Sequence, residues 1–139
     1  MIDKVIVFAV HTELIDSLHH SIAGSIVIDG RVNKKQDVLN TFINSPGIRV
    51  LIAQIDACGE GLDGLQHIQG RIVFAELHWN PKKIEQAIAR MLRFGRKELV
   101  LCDFIIANNS DMERRIYEAV KEKIDTINKV LKEKKELSI

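Results

Sequence analysis

Two stretches of this 139-residue chain carry residue types that suit phosphate chemistry. The first is Gln54-Ile55-Asp56-Ala57-Cys58-Gly59-Glu60-Gly61-Leu62-Asp63-Gly64. Three glycines in six residues let backbone approach a ligand closely, although such loops are also simple tight turns. The second is Gln86-Ala87-Ile88-Ala89-Arg90-Met91-Leu92-Arg93-Phe94-Gly95-Arg96. Arg90 and Arg93 lie one helical turn apart on one face. Their planar, permanently charged guanidinium groups match phosphate oxygens, and the plainer alternative is surface charge. The phosphate-gripping pattern G-x-x-x-x-G-K-[ST] is absent, since Gly-Lys occurs nowhere in the chain. None of His11, His19, His20, His67 and His78 has metal-ligand spacing with a carboxylate or cysteine partner, so all read as surface or core residues, and no metal is expected. Cys58 and Cys102 read as small buried hydrophobes, too few for a disulfide framework or a zinc site. No nucleophile–base constellation can be argued from the order of residues, so a self-sufficient enzyme lacks its site here.

Composition narrows the class. Hydrophobic residues make up 46% and charged residues 28%, the balance of one packed domain rather than a disordered chain. No run approaches the roughly 20 apolar residues that span a bilayer, and Met1-Ile2-Asp3-Lys4 does not open a signal peptide, so an intracellular, reduced setting without a membrane partner is expected. The net charge of +1 is uneven: residues 1–70 hold five Lys/Arg against eight Asp/Glu, residues 71–97 seven against two, and residues 98–139 eight against nine. The middle block can present an anion-binding face or a solvated helix.

Five apolar runs must position these groups: Val5–Ala9, Ser25–Ile28, Arg49–Ala53, Arg71–Ala75 and Leu99–Phe104. They are rich in β-branched residues, too short for typical helices, and do not alternate. This pattern predicts strands of a parallel sheet buried on both faces. Between them, Leu14, Ile15 and Leu18 mark a helix over Thr12–His20. Asn33 is the expected cap of a second helix through Phe42, ended by Pro46-Gly47. Pro81 opens a third, with Ile84, Ala87, Ile88, Met91 and Leu92 inward. A fourth, capped near Ser110 with Glu113 three residues on, runs from Asp111 to about Lys135. Its stripe is Met112, Ile116, Ala119, Val120, Ile124, Ile127, Val130 and Leu131. Alternating strands and helices predict an α/β fold with right-handed crossovers. The expected organisation is a lobe over residues 1–110 and a C-terminal helix over 111–139 that packs on the lobe or reaches a partner.

The order of these stretches resembles the second RecA-like lobe of superfamily 2 helicases, in the Swi/Snf-type branch of DNA translocases and closest to annealing helicases. Val5-Ile6-Val7-Phe8-Ala9 followed by His11 is similar to helicase motif IV. Ile28-Asp29-Gly30 with the polar helix to Phe42 resembles the stretch ahead of motif V, and Ala57-Cys58-Gly59-Glu60-Gly61-Leu62-Asp63 resembles motif V itself. Phe74-Ala75-Glu76-Leu77-His78-Trp79-Asn80-Pro81 resembles the strand ending in Trp-Asn-Pro, and Gln86-x-x-x-Arg90-x-x-Arg93-x-Gly95 resembles motif VI. Phe104–Asn109 and Glu113–Ile116 resemble the closing strand and helix.

The resemblance implies a RecA-like parallel sheet flanked by helices, without a phosphate loop of its own. It implies ATP and Mg²⁺ shared with a first lobe, joined in cis or in trans, which supplies Walker A and the metal-binding acid. Arg93 would be the principal arginine finger and Arg90 its partner; Gln86, Gly61 and Asp63 would line the nucleotide cleft. Gly30, Arg31, Lys34, Lys35 and Trp79 would face DNA, contacting its backbone without sequence preference. A packing role in the core or between lobes is the alternative for Trp79. Three departures stand out. Gln54-Ile55-Asp56 replaces the hydroxyl residue expected ahead of the motif V glycines, and Asp56 would repel a phosphate. Arg96 stands where Gln is usual, and Lys35 or Gln36 where Arg is usual. The lobe is expected to be inactive alone. The competing reading is a stand-alone module that binds nucleic acid or a motor partner without ATP turnover.

Overall fold

The computed structural model describes residues 4–58, 64, 70–90, 102–105 and 110–137. Its elements are β1 (Lys4–Ala9), α1 (Thr12–Ser21), β2 (Ser25–Ile28), α2 (Lys35–Asn44), β3 (Val50–Gln54), a single 3₁₀ turn (Ile55–Ala57), β4 (Gly70–Phe74), α3 (Pro81–Arg90), β5 (Cys102–Phe104) and α4 (Asp111–Leu137). All four strand pairings are parallel, in the order β2-β3-β1-β4-β5.

The order explains where the helices lie. The chain moves outward from β1 to β2, then reverses to β3. With right-handed crossovers, a reversal of direction sends the next helix to the opposite face. One face accordingly packs Ile15 of α1 on Ala9 and Ile52, with Leu14 and Leu18 at its margin. The other is the larger core: Ile6, Phe8, Leu51, Ile72 and Phe74 meet Leu39 and Phe42 of α2, Ile84, Ala87 and Ile88 of α3, and Ile116, Val120 and Ile124 of α4. The apolar runs serve both faces at once, as expected for β1 and β3. At the edges the expectation fails: Ser25, Ile26 and Val27 of β2 are only half-buried, and Asp103 of β5 is exposed, because an edge strand has one neighbour instead of two.

The helix boundaries need other corrections. Asn33 is not the cap of α2; Lys34 holds that position with no side-chain cap bond, and the helix continues beyond Phe42 to Asn44. β3 begins at Val50 rather than Arg49. Ser110 does cap α4, its Oγ accepting the Glu113 N–H at 3.2 Å. Met91, Leu92, Leu99–Leu101 and the side chains of Ile127 and Leu131 lie outside the described residues. α4 packs on the lobe at least to Ile124, and Tyr117 meets the Phe104 ring edge-on at 5.2 Å between centroids. That contact closes an aromatic ladder across β1, β4 and β5, in which Phe8, Phe74 and Phe104 stack at 5.1 and 5.0 Å.

Candidate functional site

In an open parallel sheet the carboxyl ends of the strands, near the point where strand order reverses, are where ligands bind. Here that switch lies between β1 and β3: the connection leaving β1 runs to β2 on one side, and the connection leaving β3 runs past β1 to β4 on the other. Two side chains tie these ends together. Gln54, the last residue of β3, donates from Nε2 to the Val10 carbonyl at 3.0 Å and accepts the Gly30 N–H at Oε1, also at 3.0 Å. Glu76, two residues past β4, accepts the Val10 and His11 N–H groups at Oε1, both at 2.9 Å, and meets His11 Nδ1 at 2.6 Å through Oε2. The loops after β2, β3, β1 and β4 thus form one hydrogen-bonded rim.

The His11–Glu76 pair gives the rim a pH dependence. The hydrogen bond and charge of Glu76 hold the exposed His11 imidazole above the usual histidine range. Burial alone would raise the Glu76 carboxyl, but the hydrogen bonds from His11 and Val10 outweigh it and hold it below the usual range. A raised histidine contributes stability below about pH 6.5 that is lost as pH rises through its folded value. A depressed carboxyl contributes above about pH 4.5 and loses that as pH falls through its folded value. The pair's contribution is therefore whole between those limits. His11→Ala should flatten the loss of stability expected of the parent as pH rises above about 6.5, read as urea midpoints at each pH. Equal pH slopes in the two proteins would refute it.

Beyond β2, Arg31 is committed within the lobe. Its guanidinium binds Asp29 Oδ2 through Nε at 3.0 Å and Asp16 of α1 through both terminal nitrogens at 3.1 and 2.7 Å. Hydrogen bonds to Arg31 hold both carboxyls below their usual range. Asp29 is buried, so this pairing is what makes an ionised carboxylate tolerable there. Lys35 donates to the Val32 carbonyl at 2.8 Å; Lys34 is exposed.

Past β4 the chain turns through Leu77-His78-Trp79-Asn80 into α3. His78 is buried, and Trp79 beside it is 72% exposed, which removes the core-packing alternative for that tryptophan. Asp56 does not stand as a bare negative charge: it meets His78 Nε2 at 3.1 Å and lies 3.9 Å from Lys83 Nζ. On α3, Ile84, Ala87 and Ile88 face the core while Lys82 and Gln86 are exposed. The Arg90 side chain, and all of Arg93, Gly61 and Asp63, lie outside the described residues. Of the three glycines in that stretch only Gly64 is described. Its φ of +122° and an ideal Cβ only 2.6 Å from Ile43 Cδ1 make glycine necessary there. Among the described residues no group of three His, Cys, Asp or Glu is placed to hold a metal, and no helix is long and apolar enough to cross a membrane.

Reading of the sequence alone missed the working partners of Gln54, Glu76, His78 and Arg31. The one available signal is position: Gln54 ends β3, Arg31 lies three residues past β2, and Glu76 and His78 lie two and four residues past β4.

A parallel sheet of this order, with a tied carboxyl rim and no phosphate loop of its own, defines a RecA-like lobe. The model of the helicase conserved C-terminal domain matches residues 1–95, and the chain belongs to that family. It is similar to the SWI/SNF-related matrix-associated actin-dependent regulator of chromatin subfamily A-like protein 1 of Drosophila melanogaster, with 32% identity over 91% of this chain and 17% of that protein. It is also similar to the DNA annealing helicase and endonuclease ZRANB3 of Homo sapiens, with 34% identity over 77% of this chain and 10% of that protein. The chain thus spans less than a fifth of the length of these relatives. A crystal structure of the C-terminal part of the Fun30 ATPase domain shares its fold, with a TM-score of 0.73, 19% identity, and coverage of 96% of this chain and 48% of that one. This chain is a helicase C-terminal domain of the SWI/SNF type.

Proposed function

We propose that this domain is the second motor lobe of an ATP-dependent DNA translocase. It would close on a first lobe that holds ATP and Mg²⁺, supply Arg93 and Arg90 to the γ-phosphate, and track the DNA backbone. The observation that carries the reading is the turn into α3. A single tryptophan stands exposed at the carboxyl rim, at the head of a helix that exposes Lys82 and Gln86. Guanidiniums suit phosphate oxygens and cannot ligate Mg²⁺, so the metal would be held by the first lobe's carboxylate. Gln86, Gly61 and Asp63 would line the nucleotide cleft from this side.

The DNA face is narrower than the motif alone implies. Gly30 N–H, Arg31 and Lys35 already have partners within the lobe. Lys34 and Trp79 are then the primary contacts, with Gly30, Arg31 and Lys35 reaching DNA only by exchanging partners. This same observation favours the competing reading, a stand-alone module that engages a motor partner without turnover.

The test is anisotropy of labelled duplex DNA with this chain across a salt series. Affinity should fall as salt rises, and Lys34→Ala should reduce the slope of log affinity against log salt by about 0.9, one phosphate's share. ATP turnover by the chain alone should stay at background and appear when the first lobe is added. No binding at low salt would leave the protein-partner reading standing.

A further inference from the structure

We propose that His78 is a positioning residue that, through Asp56, couples the turn entering the glycine-rich loop to Trp79. The inference rests on the proposed reading only where it concerns DNA. Its geometric part stands alone.

His78 is 5% exposed and is held at both ring nitrogens. Nδ1 accepts the Asn80 N–H at 3.0 Å, so the ring hydrogen sits on Nε2 and is donated to Asp56, 3.1 Å from Oδ1 and 3.2 Å from Oδ2. One tautomer satisfies both bonds. Asn80 in turn anchors the start of α3: its Oδ1 accepts the Lys82 N–H at 3.1 Å and its carbonyl the Lys83 N–H at 3.0 Å. Trp79 therefore stands between two residues locked to each other, while its own indole is 72% exposed and touches the His78 ring at 5.6 Å between centroids. Burial does not orient this indole; its neighbours' hydrogen bonds do.

The other end of the tether matters as much. Asp56 lies in the 3₁₀ turn Ile55–Ala57, which leads directly into the glycine-rich stretch. The turn is short and closes with the Cys58 N–H bound to the Gln54 and Ile55 carbonyls at 3.2 and 3.3 Å. A shift of that turn moves Asp56, and with it His78, Trp79 and the first residues of α3. Lys83, 3.9 Å from Asp56, steadies the carboxylate without replacing the imidazole bond. This is a short mechanical path between the loop that would face nucleotide and the side chain that would face DNA.

Trp79 is the chain's sole tryptophan, so its emission reports the tether directly. The experiment measures iodide quenching of Trp79 and duplex-DNA affinity at low salt for the parent chain, His78→Phe, His78→Gln and Asp56→Ala. His78→Phe keeps the volume and removes both bonds. His78→Gln keeps a donor for Asp56. Asp56 is half-exposed, so Asp56→Ala gives a folded variant even where His78→Phe does not. His78→Phe and Asp56→Ala should each change the quenching constant and weaken duplex binding about five- to tenfold, the scale of one lost charge-assisted hydrogen bond, with His78→Gln between them and the parent. Folded Asp56→Ala with quenching and affinity within about twofold of the parent would overturn the proposal, because one bond should exceed that. So would variants that lower only the denaturation midpoint, the mark of a purely structural histidine. If the parent fails to bind duplex at all, the DNA reading fails. The quenching comparison then still decides whether His78 and Asp56 set Trp79.

Discussion

Arg93→Ala, made in this chain joined to its first lobe, should lower DNA-stimulated ATP turnover about 10³-fold or more while ATP binding changes little. The asymmetry follows from what a finger does. Charge accumulates on the γ-phosphate oxygens chiefly in the transition state, so a guanidinium aimed there lowers the barrier far more than it tightens the ground state. Arg90→Ala should cost less, on the order of tenfold to a hundredfold, if it shares that charge from one turn earlier. Arg93→Lys should not rescue, because an ammonium cannot reproduce the planar bidentate fork. The measurement is ATP turnover with saturating duplex DNA, beside nucleotide affinity from a fluorescent analogue. Turnover within a few-fold of the parent with binding retained would remove Arg93 from the finger role. An equal loss of binding and turnover would make it a ground-state contact instead.

Lys4→Met should destabilise the lobe by about 2–4 kcal/mol. Lys4 opens β1 with its side chain 5% exposed. Its Nζ donates to the carbonyls of Phe42, Ser45 and Ile48 at 2.6, 2.9 and 2.6 Å and lies 4.7 Å from the Phe42 ring centroid. Phe42 is in the last turn of α2, where carbonyls have no intrahelical partner, so the ammonium closes that helix and complements its dipole. Two effects oppose each other. Burial, with Arg49 nearby, pushes the Lys4 pKa below its usual value, which registers the cost of keeping a charge there. Against it stand three charge-assisted bonds; methionine would leave all three carbonyls without this donor, although that of Ser45 keeps the Ile48 N–H at 3.1 Å. The bonds should win, because an unsatisfied buried carbonyl costs about 1–3 kcal/mol each. Urea unfolding reads the result as a lower midpoint at unchanged slope. A midpoint at or above the parent's would mean that desolvation of the ammonium outweighs the bonds.

How far the residues alone reach can be judged from particular elements. Ser25–Ile28 was read to the residue, and the other strands to within a residue or so where described, because an unbroken β-branched run has few other places to go. The α2 start was read one residue early, since Asn33 is a good cap by type while the chain puts Lys34 there without a side-chain bond. The 3₁₀ turn at Ile55–Ala57 carried no periodic signal and was missed. Within the site, Trp79 and the Gln-x-x-x-Arg-x-x-Arg frame were visible as motifs. The resemblance implies that Arg31 faces DNA. The fold spends it on Asp29, two residues away, and on Asp16, which lies fifteen residues back.

The sequence by itself determined the parallel α/β architecture and the helicase motif order, because both rest on local periodicity and on residue types at short spacing. Tertiary structure decided which polar groups are free to meet a ligand. Gln54 finds Gly30 across 24 residues and Val10 across 44, Glu76 finds His11 across 65, and His78 finds Asp56 across 22. Such pairs form only once strand order has brought distant loops to one rim. Burial then makes each unmet hydrogen bond expensive enough to dictate the partner.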